Sequence, residues 1–78
     1  MKYVYILESL DGHHFYVGAT ADLKARLAKH NAGEVTHTSN YGPWRVKTYL
    51  GFSDDSQAWA FEKYLKSASG RAFAKKRL

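Results

Sequence analysis

Apolar and polar positions alternate with two different periods along this chain. From residue 2 to 8, Tyr3, Tyr5 and Leu7 fall on one side of an extended segment, and Val4 and Ile6 on the other. Both sides are apolar, which predicts a strand covered on two faces and central in its sheet. Phe15-Tyr16-Val17 predicts a return strand. Asp11-Gly12 between them predicts a tight hairpin turn, because both turn positions favour residues that tolerate positive φ. A two-residue turn there places Leu7 opposite Tyr16, with Tyr5 diagonal to Tyr16 on the same face. Gly18 is expected to end this strand in a sharp turn. Arg45 to Leu50 alternates again and predicts a third strand.

Elsewhere the period is helical. Leu23, Arg26, Leu27 and His30 share one face of a helix predicted over residues 21–32, with Thr20 as N-cap, Asp22 in its first turn and Gly33 as its stop. Ala58, Phe61, Glu62 and Leu65 mark the apolar face of a second helix, which begins at Ser53-Asp54-Asp55 and is capped by Ser53 or an aspartate. Residues 69–77 predict a short third helix with Phe73 docked inward. Residues 33–44 form a polar loop, long for a connection and of a kind that often binds something. No repeat, low-complexity stretch or linker divides residues 1–78, so one domain is expected. Its class is α+β: a small three-stranded antiparallel sheet flanked by helices, in the order β-β-α-β-α-α.

Composition supports a small globule. Of 78 residues, 45% are apolar and 15% aromatic, enough for a core and unlike a disordered chain. There is no cysteine, which excludes disulfides and thiolate metal sites. No apolar run approaches the ~20 residues of a membrane span. Residues 1–8 are too short and too soon charged for a signal peptide, so a cytoplasmic location is expected. Twelve Lys and Arg against seven Asp and Glu leave a net charge of +5. After Glu62 come Lys63, Lys66, Arg71, Lys75, Lys76 and Arg77, with no acid among them. Such a tail suits a polyanion, and it equally keeps a protein soluble.

Three charged or polar side chains lie on the apolar stripes. Arg26 and His30 either border a polar cleft or skirt the edge of the core. Glu62 must be paired, protonated or bound to a metal. A salt bridge to Arg26 or a lysine satisfies it. So does Mg²⁺ or Mn²⁺, a hard cation that keeps several waters and takes further oxygens from a phosphate. With Tyr5 and Tyr16, these residues are polar groups from four separate segments, expected to converge on one concave surface. Thr36, Thr38, Ser39, Asn40 and Tyr41 offer hydrogen bonds to phosphate or sugar, as any exposed loop does. Trp44 and Trp59 suit base stacking or packing, and Trp44 after Pro43 is expected to anchor the loop. His13, His14 and His37 have no metal-ligand spacing and read as surface residues.

Over nearly its whole length the chain resembles a GIY-YIG nuclease domain. Tyr3-Val4-Tyr5 corresponds to the first motif and Tyr16-Val17-Gly18 to the second. The family's helix arginine matches Arg26, its following His or Tyr matches His30, and its metal-binding glutamate matches Glu62. The chain is especially similar to short bacterial stand-alone members, and more distantly to the N-terminal nuclease domain of the UvrC excinuclease. Tyr3 stands where the first motif has glycine. The asparagine that some members carry after the glutamate has no match; Lys75 and Lys76 stand in that neighbourhood.

This resemblance implies metal-dependent hydrolysis of DNA phosphodiesters in one step, in repair or processing. Glu62 would hold one divalent ion, Mg²⁺ or Mn²⁺. Arg26 would bind the phosphate, and Tyr5 and Tyr16 would line the site. A tyrosine would touch the attacking water while His30 receives or relays its proton. Lys63, Lys66, Thr38, Ser39, Lys75 and Lys76 would contact DNA. A domain so small would grip DNA weakly, as a monomer or weak oligomer, and take selectivity from branched or damaged DNA or from a protein partner. Two other classes fit the same residues: a nucleic-acid-binding module with weak or no catalysis, and an adaptor whose basic surface meets an acidic protein.

Overall fold

The computed structural model describes residues 1–78, which form β1 (Lys2–Ser9), β2 (Phe15–Thr20), α1 (Leu23–Asn31), β3 (Trp44–Phe52), α2 (Asp55–Leu65) and α3 (Ala68–Arg77). The three strands make one antiparallel sheet in the order β2-β1-β3. β1 is therefore central, as its two apolar faces require. Leu7 pairs with Tyr16, the register that Asp11-Gly12 implies. Of the two expected turn positions only Gly12 has positive φ, at 78°; Asp11 does not, and its carboxylate instead accepts from the Ser9 hydroxyl at 2.5 Å and the His13 amide at 2.9 Å. The β1–β3 pairing is irregular at one point. Ile6 pairs with Thr48 but Leu7 with Val46, so Lys47 is an extra, bulged residue.

Each face of the sheet has its own core. Val4 and Ile6 meet Ala58 and Leu65, with Val17, Ala19, Phe52, Phe61, Ala74 and Leu78 around them. That layer is α2 and α3. On the other face Tyr5, Leu7 and Trp44 are buried beneath Leu23 and Leu27 of α1, beside Tyr16 and Val46. Burying a leucine such as Leu7 or Leu65 contributes about 1.5–3 kcal/mol each. No helix is long and apolar enough to cross a membrane.

Several local expectations change. Gly18 does not end β2, which continues to Thr20 opposite Tyr3. Thr20 therefore stays in the sheet, and Asp22 caps α1 instead, its carboxylate accepting from the Ala25 amide at 3.0 Å. The helix is shorter at both ends than residues 21–32. Its C-cap is Ala32, and Gly33 follows at φ 76°, the left-handed stop that was expected. Asp54 caps α2 and Ser67 caps α3. Phe73 does not dock inward. It is 36% exposed and lies against Tyr64, ring centroids 5.9 Å apart. Gly70 and Ala74, four residues apart, face the core in its place. A Cβ on Gly70 would sit 1.8 Å from the Tyr64 carbonyl oxygen, so α3 approaches too closely for a large ring on that side.

The loop after α1 is held by Trp44. Its indole N–H donates to the Thr38 carbonyl at 3.0 Å, and its backbone exchanges two hydrogen bonds with the Asn31 amide. Trp44 is buried and anchors the loop rather than offering a stacking face.

Candidate active site

The inner face of α1 meets the sheet at its most polar point. Leu23 and Leu27 pack on the sheet and fix the helix rotation, which turns Arg26 and His30 toward Tyr5 and Tyr16. His30 is 1% exposed. Its Nε2 lies 2.9 Å from the Tyr5 hydroxyl, and its Nδ1 lies 2.8 Å from the Thr38 hydroxyl. Thr38 in turn reaches the Val35 carbonyl at 3.3 Å. One tautomer gives every contact its own proton: Thr38 donates to Val35, Nδ1–H donates to Thr38, and Tyr5 donates to Nε2. The Tyr16 ring stands 5.1 Å from the imidazole and 6.5 Å from the Tyr5 ring, centroid to centroid.

Gly18 makes this approach possible. It pairs with Tyr5 across the hairpin, and a Cβ there would lie 2.4 Å from the Tyr5 hydroxyl oxygen. Its φ is not positive, so the missing side chain, not backbone freedom, is what the position requires.

Burial sets the protonation states. It raises the Tyr5 hydroxyl above its ordinary value. The Arg26 guanidinium opposes that rise, while the Tyr16 and Glu62 charges add to it. Burial likewise lowers His30, and the charge of Arg26 lowers it further. At neutral pH the cluster therefore holds a protonated tyrosine donating to a neutral imidazole. The Arg26 Nε is buried and has no hydrogen-bond partner, an orphaned donor on a side chain beside Tyr5.

Glu62 arrives from the other layer. It is buried on α2, and its Oε2 accepts from Lys66 at 3.1 Å, one of the pairings the sequence allowed. Tyr5, Tyr16, Arg26 and His30 thus gather on the α1 side, while Glu62 lies across the edge strand β2. It is still near enough for its charge to raise Tyr5. The reason is topological: α1 and α2 cover opposite faces of the sheet.

A divalent ion fits Glu62 on chemical grounds. No group of three His, Asp or Glu side chains is placed to cage a metal. Of the two Glu62 oxygens only Oε2 is hydrogen-bonded, and Glu62 lines a pocket of about 410 Å³ with Trp59, Ala60, Lys63 and Lys66. One carboxylate with the rest of the shell from water and phosphate is how a hard ion such as Mg²⁺ is commonly held.

The remaining sequence candidates scatter. Lys63 and Lys66 flank Glu62 and are exposed. Lys75 and Lys76 are exposed in the last turn of α3. Ser39 is exposed, with its hydroxyl on the Thr36 carbonyl at 3.2 Å. Thr38 is a correction: it is 1% exposed and its hydroxyl is used within the fold, so it orients His30 and does not face a phosphate. Nothing local in the sequence distinguishes it from Thr36. Trp59 is 60% exposed, with the Lys2 ammonium 5.6 Å from its ring centroid. His13 and His37 are exposed, and His14 stacks on Tyr41 at 4.2 Å.

The sequence and the fold place the chain in a family. A model described as the GIY-YIG catalytic domain matches residues 1–77. The chain is 37% identical over 70 residues to the UPF0213 protein BH0048 of Halalkalibacterium halodurans, covering 88% of this chain and 73% of that one. It is 34% identical over 70 residues to the UPF0213 protein VNG_2274C of Halobacterium salinarum, covering 88% and 90%. The solution NMR structure of BH0048 from Bacillus halodurans aligns over 96% of this chain and 81% of that one, with 35% identity and a TM-score of 0.57. The chain belongs to the GIY-YIG family, a nuclease family whose members generally use divalent metal ions.

Proposed function

We propose that this protein is a metal-dependent endonuclease that hydrolyses DNA phosphodiester bonds. The observation that carries this reading is the buried Tyr5–His30–Thr38 chain beside the orphaned donor of Arg26. A packed core does not need a hydroxyl, an imidazole and an unpartnered guanidinium nitrogen in one place; a phosphate in need of a nucleophile does.

The proton route follows from the protonation states. A standing tyrosinate at pH 7 costs about 4 kcal/mol from the ordinary value near 10, and burial of Tyr5 adds to that. A relay avoids the charge. The water gives its proton to the Tyr5 oxygen as Tyr5 passes its own to His30 Nε2, while the water oxygen bonds to phosphorus and the ester bond to the leaving oxygen breaks. Nδ1–H stays on Thr38 throughout, which keeps Nε2 the accepting nitrogen. Tyr16, half-buried beside both rings, confines the water. The Arg26 guanidinium, beside Tyr5, donates to a non-bridging phosphate oxygen, where charge grows in the transition state. Glu62 would hold the divalent ion, Mg²⁺ or Mn²⁺, which when bound neutralises the phosphate and stabilises the leaving oxygen. Lys63 and Lys66 steer the polyanion to the edge of β2. The setting this implies is repair or processing of branched or damaged DNA in the cytoplasm, by one domain acting as a monomer or weak oligomer.

Labelled single-stranded, duplex, nicked, flapped and branched DNA, offered with Mg²⁺ or Mn²⁺, tests the proposal. Wild type should cleave and EDTA should abolish cleavage. Glu62→Ala and His30→Gln should each lose roughly 10²–10⁴-fold in rate while still binding. Equal DNA binding by wild type and Glu62→Ala with no cleavage would make the domain a binding module. Failure to bind DNA even at low salt would leave the adaptor.

A further inference from the structure

A second concavity lies on the α2 and α3 side of the sheet. It encloses about 700 Å³, the size of a small-ligand site and too small for a duplex. Its floor is apolar, and Phe15 and Val17 of β2 form one wall. Its rim carries Lys47, Lys66, Arg71 and Lys75, and no acidic residue lines it. Of these four cations only Lys66 has an ion-pair partner. Phe15 is 55% exposed, an uncommon state for a phenylalanine in a strand, and the Lys47 ammonium lies 5.8 Å from its ring centroid. Lys47 reaches there because it is the extra residue of the β3 bulge, which re-aims its side chain.

An aromatic face, an apolar floor and a one-signed rim together describe a site for a nucleobase attached to a phosphate backbone. The concavity also adjoins the candidate active site, since Tyr16 lines it and Lys66 belongs to both. We infer that this groove holds an unpaired nucleotide of the substrate strand, stacked on Phe15 with its flanking phosphates on Lys47, Arg71 and Lys75, and so selects nucleic acid with a single-stranded segment beside the cleaved bond. This rests on the proposed reading of the substrate as nucleic acid. A paired base keeps its faces inside the duplex and cannot reach the ring.

Fluorescence anisotropy in EDTA measures the groove apart from catalysis. The probes are a labelled single-stranded oligonucleotide and a blunt duplex of the same sequence, at matched salt. Wild type should bind the single strand more tightly. Phe15→Ala, at an exposed position, should weaken single-strand binding about tenfold and leave duplex binding unchanged. Arg71→Ala with Lys75→Ala should reduce the salt slope of single-strand binding by about 1.4. Lys29→Ala, on exposed α1, should change the single-strand preference little. Equal weakening of both probes by Phe15→Ala, or no weakening of either, overturns the groove. Circular dichroism of each variant separates lost binding from lost folding. If the groove variants behave as stated but wild type never cleaves, the groove stands and the catalytic reading falls. Glu62-dependent cleavage with no effect of Phe15→Ala gives the opposite result.

Discussion

Replacing Gly18 with alanine inserts one methyl group into the centre of the candidate site. It would lie 2.4 Å from the Tyr5 hydroxyl oxygen, 2.6 Å from Tyr5 Cζ and 3.1 Å from Tyr16 Cε2. Ordinary contact needs about 3.5 Å, so the Tyr5 ring must retreat by about 1 Å. Tyr5 is 1% exposed and packs with Leu7 and Trp44, which resist its displacement. Overpacking of this kind costs about 1–3 kcal/mol. The retreat also breaks the 2.9 Å bond to His30, which adds about 1 kcal/mol. Alanine restricts the unfolded chain and returns about 0.5 kcal/mol. The net loss is about 2–3 kcal/mol, which in a domain of this size lowers Tm by about 10–20 °C. Gly51→Ala is the matched control. Its Cβ would meet the Met1 sulfur at 2.7 Å and Tyr3 Cε1 at 3.2 Å, but Met1 is 72% exposed and its end is free to move. Thermal melts of the two variants by circular dichroism, with cleavage rates alongside, decide the matter. Equal Tm values, or a Gly18→Ala protein that cleaves at the wild-type rate, would refute the claim that Gly18 exists to admit Tyr5.

Thr38→Val keeps the shape but removes the acceptor for the His30 Nδ1–H, leaving a buried donor unpaired; stability should fall by about 1–3 kcal/mol and the pH profile of cleavage should shift. His30 is lowered from 6.5 in the folded state, so its contribution to stability is complete above about pH 6.5 and is lost as pH falls from there through the lowered value. Denaturant titrations at about pH 7.5 and 5.5 should show this loss in wild type and little of it in His30→Gln. Cleavage should rise with pH through the same lowered value, because only neutral Nε2 accepts the proton. Asp22→Ala removes a cap and should cost about 1 kcal/mol in a thermal melt, whereas Thr20→Ala, whose exposed hydroxyl accepts from the Asp22 amide and donates to the Asp22 carbonyl without capping the helix, should cost less.

The chain's order of elements, the centrality of β1 and the pairing of Leu7 with Tyr16 were legible in the sequence. Periodicity and turn chemistry are local, and a one-residue slip in the hairpin would turn every side chain of β1 to the wrong face. The spacing of Leu23, Arg26, Leu27 and His30 likewise dictated which α1 side chains turn inward together. Long-range packing decided the rest. Thr38 and Thr36 look alike in sequence, yet Trp44 pulls the loop so that only Thr38 meets His30. Phe73 is as apolar as any core residue, but α3 docks through Gly70 and Ala74 and leaves the ring outside. Gly18 reads as a turn residue until the Tyr5 ring is seen to occupy its missing side chain. Glu62 is inward by its helical face, but which face of the sheet receives it depends on α1 and α2 taking opposite layers. A bulge that no local pattern announces aims Lys47 at Phe15. Each of these contacts depends on how the sheet, the helices and the loop are assembled, so its free energy is not set by the periodicity or turn chemistry of any one segment.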